Sequence, residues 1–350
     1  MKRRRLALAC VLWACVALPM NAARAAPAQS CEGSGRLSYV CGPVNVEDMV
    51  RAPGTRWLIG SSMHVGRNIP RGGPGLYLID SEAKTARPAA IVLGPEPKDG
   101  PFAGCPAPDL TILATHGLEL RAGTGGRHTL YAVNHGGRET IEVFQVDARS
   151  GPPTLTWTGC LILPANTWEN SIAALPGGGL AMSKYAALDK LDAAPVLRGE
   201  ITGTVYIWKP GAGFSELAGA QLSGNNGLLA SADGKWLWVN DQGRGQIVRF
   251  ALDGSQPPTY AKVAFLPDNL RWAPDGTIVA AGQIMSAGDS LAQAHGWGVA
   301  RLDPQTMAVT PMMTEPGRPE FSNGTVALQV GKTLWIGTFR GDRIAYVQIP

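Results

Sequence analysis

Short apolar or alternating runs recur along the chain, each bounded by Gly, Pro, Asn or Asp. Examples are "GLYLID", "TLYAVN", "IEVFQV", "GTVYIW", "WLWVND", "QIVRFAL", "LWIGTF" and "RIAYVQI". With little sustained helical periodicity between them, these runs predict many short β-strands. A longer pattern is laid over the short one. Six segments share a layout: "VEDMVRAPGT" from Val46, "THGLELRAGTGG" from Thr115, "ENSIAALPGGG" from Glu169, "NNGLLASADGK" from Asn225, "PDNLRWAPDGT" from Pro267 and "SNGTVALQVGK" from Ser322. Each opens on a polar pair or a polar residue followed by Gly, runs through mostly apolar residues and closes on a Gly-containing turn. Their starts lie about 40–70 residues apart, the range of propeller blades.

One four-stranded blade cannot bury both of its faces, so six copies predict an all-β fold, a six-bladed β-propeller with its innermost strands starting at one end of a central channel. That register gathers Asp48, His116, Asn170, Asn226, Asn269 and Asn323 into a ring, with Glu47 and Asp268 adjacent. In "FLPDNLRWAPDG" the hairpin turn is already supplied by Asp275-Gly276, so Asp268-Asn269 is not needed for it. A single Asn or Asp beside a turn is usually a local cap, but six at one register point to a shared site. Glu47, Asp48, Asn170, Asn226, Asp268 and Asn269 offer mostly oxygen donors. Such a set suits Ca²⁺ better than Zn²⁺, copper or Mg²⁺, because calcium takes many oxygens in irregular geometry. The expected architecture is therefore a propeller with a central calcium-binding channel.

His116 holds the ring position of its unit, and an imidazole titrating near neutrality suits general-base work there. His135, in "AVNHGGRETIEVF", is expected to orient or relay to it. His64 closes the second strand of the first unit, whereas His128 and His295 read as loop residues. No G-x-S-x-G elbow, dinucleotide fingerprint or P-loop is present.

Charge and cysteine content bear on compartment and partner. Residues 1–25 combine a basic start, an apolar run of about 15 residues and an Ala-Arg-Ala site, the layout of a cleavable secretory signal. The remaining 26–350 is expected to be one propeller domain, periplasmic or secreted. Removing the signal takes away five positive charges and no acidic group, which turns the formal +4 into −1. No basic stripe is left for nucleic acid, and no run reaches the roughly 20 residues of a membrane span. Cys31, Cys41, Cys105 and Cys160 allow three pairings in an oxidising compartment. Cys31 with Cys41 closes a local loop, leaving Cys105 with Cys160. These last two lie about ten residues ahead of His116 and Asn170, near-equivalent positions in adjacent blades.

Taken in order, "VEDM", "THGL", "VNHGGRETIEVF", "ENSIAALP", "NNGLLASADGKWLWV", "PDN" and "NGTV" resemble the paraoxonase/arylesterase family, within the gluconolactonase-like six-bladed propellers. The resemblance runs from about Glu47 to the C-terminus. It implies calcium-dependent hydrolysis of lactones or carboxylic (aryl) esters, so the partner is a small ester or lactone. Position by position, it implies that Glu47, Asn170, Asn226, Asp268 and Asn269 hold a catalytic calcium, with His116 and His135 as the base pair. Asp48 would serve a second, structural calcium. Four departures accompany it. Ser171 stands where the family usually has Asp, and Glu169 replaces an apolar residue and could change the site's charge. No cysteine follows Cys160 to form a terminal disulfide, and the Cys31–Cys41 segment stands where the animal enzymes carry a lid-like helix. Two other readings stay open: a non-catalytic, calcium-stabilised scaffold or binding protein, and a hydrolase of polar sugar lactones.

Overall fold

The computed structural model describes residues 31–64, 74–286 and 288–350, and the expected signal lies outside them. Within the compact unit 31–350, the strands form six antiparallel sheets, each laid down from the axis outward. The inner strands are Met49–Arg51, Thr115–Arg121, Trp168–Ala174, Asn225–Ala230, Leu266–Trp272 and Gly324–Val330. Each of the six repeated segments supplies one, so the sheets are numbered here as blades 1 to 6. Blade 6 is completed by the other end of the chain, where Ser38–Cys41 pairs with Arg343–Gln348. Joining both ends in one sheet closes the ring without leaving a free edge at the seam. Blade 2 gains a fifth strand, Ile91–Leu93, running parallel to Thr154–Ile162.

Because blades stack face to face, most strands are buried on both sides and read as near-continuous apolar runs. Ile59, Leu78, Leu118, Leu130, Phe144 and Trp157 fill one such interface, and Val299, Trp297, Phe321 and Ile336 another. Each large side chain buried in this way contributes about 1.5–3 kcal/mol over its exposed state.

The ring owes its orientation to defects in the ladders. Five inner strands slip register at one place: Thr115 to Leu118, Glu169 to Ser171, Asn225 to Leu228, Pro267 to Leu270 and Gly324 to Val326. The residues skipped include His116, Asn170, Asn226 and Asp268-Asn269. A bulge frees its residue from the ladder and re-aims the side chain, here toward the axis. In blade 1, Glu47 and Asp48 immediately precede the three-residue strand instead. Side chains bond the backbone groups this irregularity leaves unpaired. Ser61 Oγ accepts from Asp48 N–H at 2.9 Å, Ser183 Oγ accepts from Ser171 N–H at 3.0 Å, and Asn240 Nδ2 donates to Asp268 O at 2.7 Å. The glycines after His116 and Asn226 have a related cause. A Cβ on Gly117 would overlap Asn170 O, and one on Gly227 would overlap Asp268 O, so neighbouring inner strands meet where only glycine fits.

Both disulfides form, with Cα separations of 5.9 Å for Cys31–Cys41 and 5.6 Å for Cys105–Cys160. The geometric reason expected for the second was incorrect. Cys160 lies on the outer strand of blade 2, Thr154–Ile162, and Cys105 in the loop leading into the same blade, so the bond sits within one blade rather than between equivalent positions of two.

Candidate functional site

Glu47, His116, Asn170, Asn226 and Asp268 meet at the floor of a cavity of about 260 Å³ at the end of the channel. Asn269 lies behind that floor, fully buried, and its Nδ2 donates to Glu47 Oε1 at 2.5 Å. Thr325 Oγ1 holds the Glu47 carbonyl at 2.6 Å. Asp268 Oδ2 accepts from Gln283 Nε2 at 2.5 Å. Burial, reinforced by the nearby Glu47 charge, pushes the Asp268 carboxyl well above the usual carboxylate range.

These hydrogen bonds leave a remainder. Glu47 Oε2, Asn170 Oδ1 and Asn269 Oδ1 are buried and have no hydrogen-bond partner. Leaving such an acceptor unpaired costs roughly 1–3 kcal/mol, so three in one ring call for a hydrogen-bond donor or a cation. The donors are carboxylate and amide oxygens, a hard set that fits calcium. Among the described residues, no group of three or more His, Cys, Asp or Glu side chains forms a metal cluster. The ring is instead amide-rich, with two carboxylates and three amides.

Asp48 stands apart. Its Oδ1 accepts from Met49 N–H at 2.8 Å, while its Oδ2 accepts from Leu118 N–H at 2.7 Å and pairs with the Arg271 guanidinium. Burial raises its carboxyl to about 6, against the pull of Arg271. Asp48, expected to serve a second ion, has both oxygens engaged by the Arg271 guanidinium and two backbone N–H groups. Asn323, the sixth ring residue, has a left-handed backbone (φ 55°) and an unpartnered Oδ1, but it does not line the cavity.

His116 and His135 are brought together. His116 Nδ1 lies 3.0 Å from His135 Nε2, and His135 Nδ1 lies 2.7 Å from Glu139 Oε2. Trp168 stacks on the His135 ring at 3.6 Å between centroids and 3° between planes. The neighbouring cation Arg138 is committed to Glu142, at 2.8 Å, and does not compete for Glu139. The tautomers follow from the chain's end. An ionised Glu139 accepts, so His135 carries its proton on Nδ1 and accepts at Nε2. His116 then donates from Nδ1 and keeps a lone pair on Nε2. That nitrogen receives the Asn170 amide at 3.4 Å and lies 3.5 Å from Glu47 Oε2. Burial lowers the His135 pKa, with Glu139 opposing.

Glu139 was not singled out from sequence, although it stands four residues after His135. Nor were most of the cavity walls. In each blade the second strand runs antiparallel to the first, so its end lies beside the ring. Those ends are Met63, His135, Tyr185, Gln242, Gln283 and Phe339, one per blade, and all but His135 line the cavity. Trp168, Leu191, Ala193 and Leu291 complete a mostly apolar wall. Leu191 and Ala193 come from an insertion in blade 3 that carries the short helix Ala193–Leu197, capped by Asp192. The Cys31–Cys41 segment lies at the outer edge of blade 6 and contributes nothing to that wall. Glu169 does not line it either. It is fully buried, and burial pushes its carboxyl well above the usual range. His64 Nε2 meets Ser62 Oγ at 3.1 Å, while His128 and His295 are remote from the cavity.

No family model matches the chain, and no curated protein matches it. Among solved structures, a candidate gluconolactonase superposes with a TM-score of 0.52 at 17% identity, over 89% of this chain and 91% of that one. A chain of a mitotic checkpoint complex gives 0.50 at 8% identity, over 97% and 98%. The chain is a six-bladed β-propeller. A calcium-binding regucalcin from Agrobacterium tumefaciens follows at 0.48 and 13%, over 89% and 94%. At these identities the shared feature is the fold.

Proposed function

We propose that this propeller is an exported, calcium-dependent hydrolase of lactones or carboxylic (aryl) esters, as its resemblance to the paraoxonase/arylesterase family implies. The observation that carries this reading is the set of three buried oxygens without hydrogen-bond partners, Glu47 Oε2, Asn170 Oδ1 and Asn269 Oδ1, in the ring where the His116 Nε2 lone pair faces the Asn170 amide. Glu47, Asn170, Asn226, Asp268 and Asn269 would hold the ion. A bound calcium supplies positive charge against a substrate carbonyl oxygen.

The chain's own residues do the rest. His116 Nε2 takes a proton from water as the water oxygen attacks the carbonyl carbon, and returns it to the departing alkoxide or phenoxide as the acyl C–O bond breaks. His135 Nε2 accepts a hydrogen bond from His116 Nδ1–H, which fixes the ring's tautomer. Glu139 fixes the tautomer of His135 in turn, and the stacked Trp168 fixes its plane. The apolar wall favours a substrate with an acyl or aryl portion over a polar sugar lactone. The Tyr185 hydroxyl and Gln242 Oε1, both buried without partners, give that wall two polar points.

Two disulfides accord with export from a reducing cytosol, and among the described residues no helix is long and apolar enough to cross a membrane. The deciding experiment is a panel of acyl lactones, aryl esters and aldonolactones, with and without chelator. Chelator-sensitive turnover of the apolar substrates is expected. Loss of thermal stability on chelation without turnover of any substrate would establish a scaffold instead.

A further inference from the structure

One step beyond the ring along the inner strands lies a second polar level, organised differently. Arg271, 5% exposed, enters it from blade 5. Its Nη2 pairs with Asp48 Oδ2 and donates to Leu118 O at 2.9 Å; its Nε donates to Met49 O at 2.8 Å and its Nη1 to Leu270 O at 2.9 Å. A permanently charged group is thus surrounded by one carboxylate and three carbonyl oxygens from blades 1, 2 and 5. None of those side-chain oxygens is left unpartnered, in contrast to the ring above.

Charge follows the same plan. Ser171 Oγ accepts from Leu228 N–H of the next blade at 3.4 Å, the cross-blade contact that Asp48 Oδ2 makes with Leu118 N–H. At this register blade 1 supplies a carboxylate and blade 3 a neutral hydroxyl. Asp48 pairs directly with the guanidinium and the buried Glu119 of blade 2 also feels its charge, whereas a divalent ion in the same place would meet a fixed positive charge.

We propose that the Arg271 guanidinium permanently occupies the second cation position of the channel, so that the protein binds a single Ca²⁺, in the ring above. Arg271 does the structural work of an ion by tying three blades together, and it does so without depending on calcium supply. The proposal rests on the calcium reading of the ring, and the test separates the two.

The test is metal analysis of the full chain equilibrated with millimolar Ca²⁺. One ion per chain is expected. Two ions would overturn the guanidinium proposal, and none would overturn the calcium reading beneath it. The double variant Asp48→Asn/Arg271→Met removes both charges together and keeps the level neutral. It is expected to retain its one ion; loss of that ion would make Asp48 a ligand and overturn the proposal. Arg271→Met alone leaves a buried carboxylate uncompensated. It is expected to lower Tm by roughly 5–15 °C, in calcium and in chelator alike. An unchanged Tm would show that the guanidinium holds nothing together.

Discussion

The two polar levels of the channel are built from the same stretches of chain, one or two residues apart, yet their hydrogen bonds differ in kind. At the ring, Glu47, Asn170 and Asn269 keep acceptor oxygens that no protein donor reaches. Below it, Asp48 and its carbonyl neighbours are fully engaged by Arg271 and by backbone N–H groups. Position on a propeller axis therefore does not make a residue a ligand. What separates a binding site from a structural pin is whether the chain already satisfies the oxygens it buries.

Four experiments would break or sharpen this contrast. The largest effect is expected from Asp268→Ala, which removes a ring carboxylate: chelator-sensitive turnover should fall by roughly 100-fold or more. Its melting temperature in chelator should hold, because a buried carboxyl that burial already disfavours is lost. Full activity of the variant in excess chelator would end the metal mechanism. Next comes Glu139→Gln, which releases the His135 tautomer while leaving every ring oxygen in place. A fall in kcat of about 10-fold to 100-fold, with KM and calcium affinity kept, is expected from steady-state kinetics and calorimetry. An unchanged kcat would remove Glu139 from the hydrogen-bonded chain that sets the His116 tautomer.

Gly227→Ala tests the close approach of blades 4 and 5. A Cβ there meets the Asp268 carbonyl, so denaturant unfolding should show a loss of about 1–3 kcal/mol together with weaker calcium binding. The smallest effect is a pH dependence. The ion-free Asp268 carboxyl has its pKa raised, so protons compete with the cation, and only the deprotonated form binds it. Calcium affinity should weaken as pH falls and strengthen as it rises, which a titration series at several pH values would show. An affinity that strengthens toward low pH would contradict the assignment.

The ring was legible because it repeats. Asn226-Gly227, Asp268-Asn269 and His116-Gly117 recur at one register ahead of an apolar run, and each Gly has a steric cause in the approach of the next blade. Disulfide partners were legible as well, although the reason offered for Cys105–Cys160 placed Cys160 in the wrong blade. The cavity wall was not. Met63, Tyr185, Gln242, Gln283 and Phe339 have no residue type in common; they share only a place at the end of a second strand, and that becomes meaningful once the antiparallel pairing is known.

The sequence by itself determined the blade count, the all-β architecture and the oxygen-rich ring, because local periodicity and turn chemistry act over a few residues and were repeated six times. Only the tertiary structure decided how these parts divide the work. Asp48 and Arg271 are 223 residues apart, so no local pattern connects them, yet closure of the ring brings their charges together inside the channel. Within blade 2, the pairing of its first two strands carries His135 to His116, and the turn after the second carries Glu139 to His135, turning two separate histidines into one directed chain. Such partners are chosen by geometry within and across blades, and the physical reason is burial. Once water is excluded, every charge and every lone pair must find a partner within reach, and the fold decides which ones are in reach.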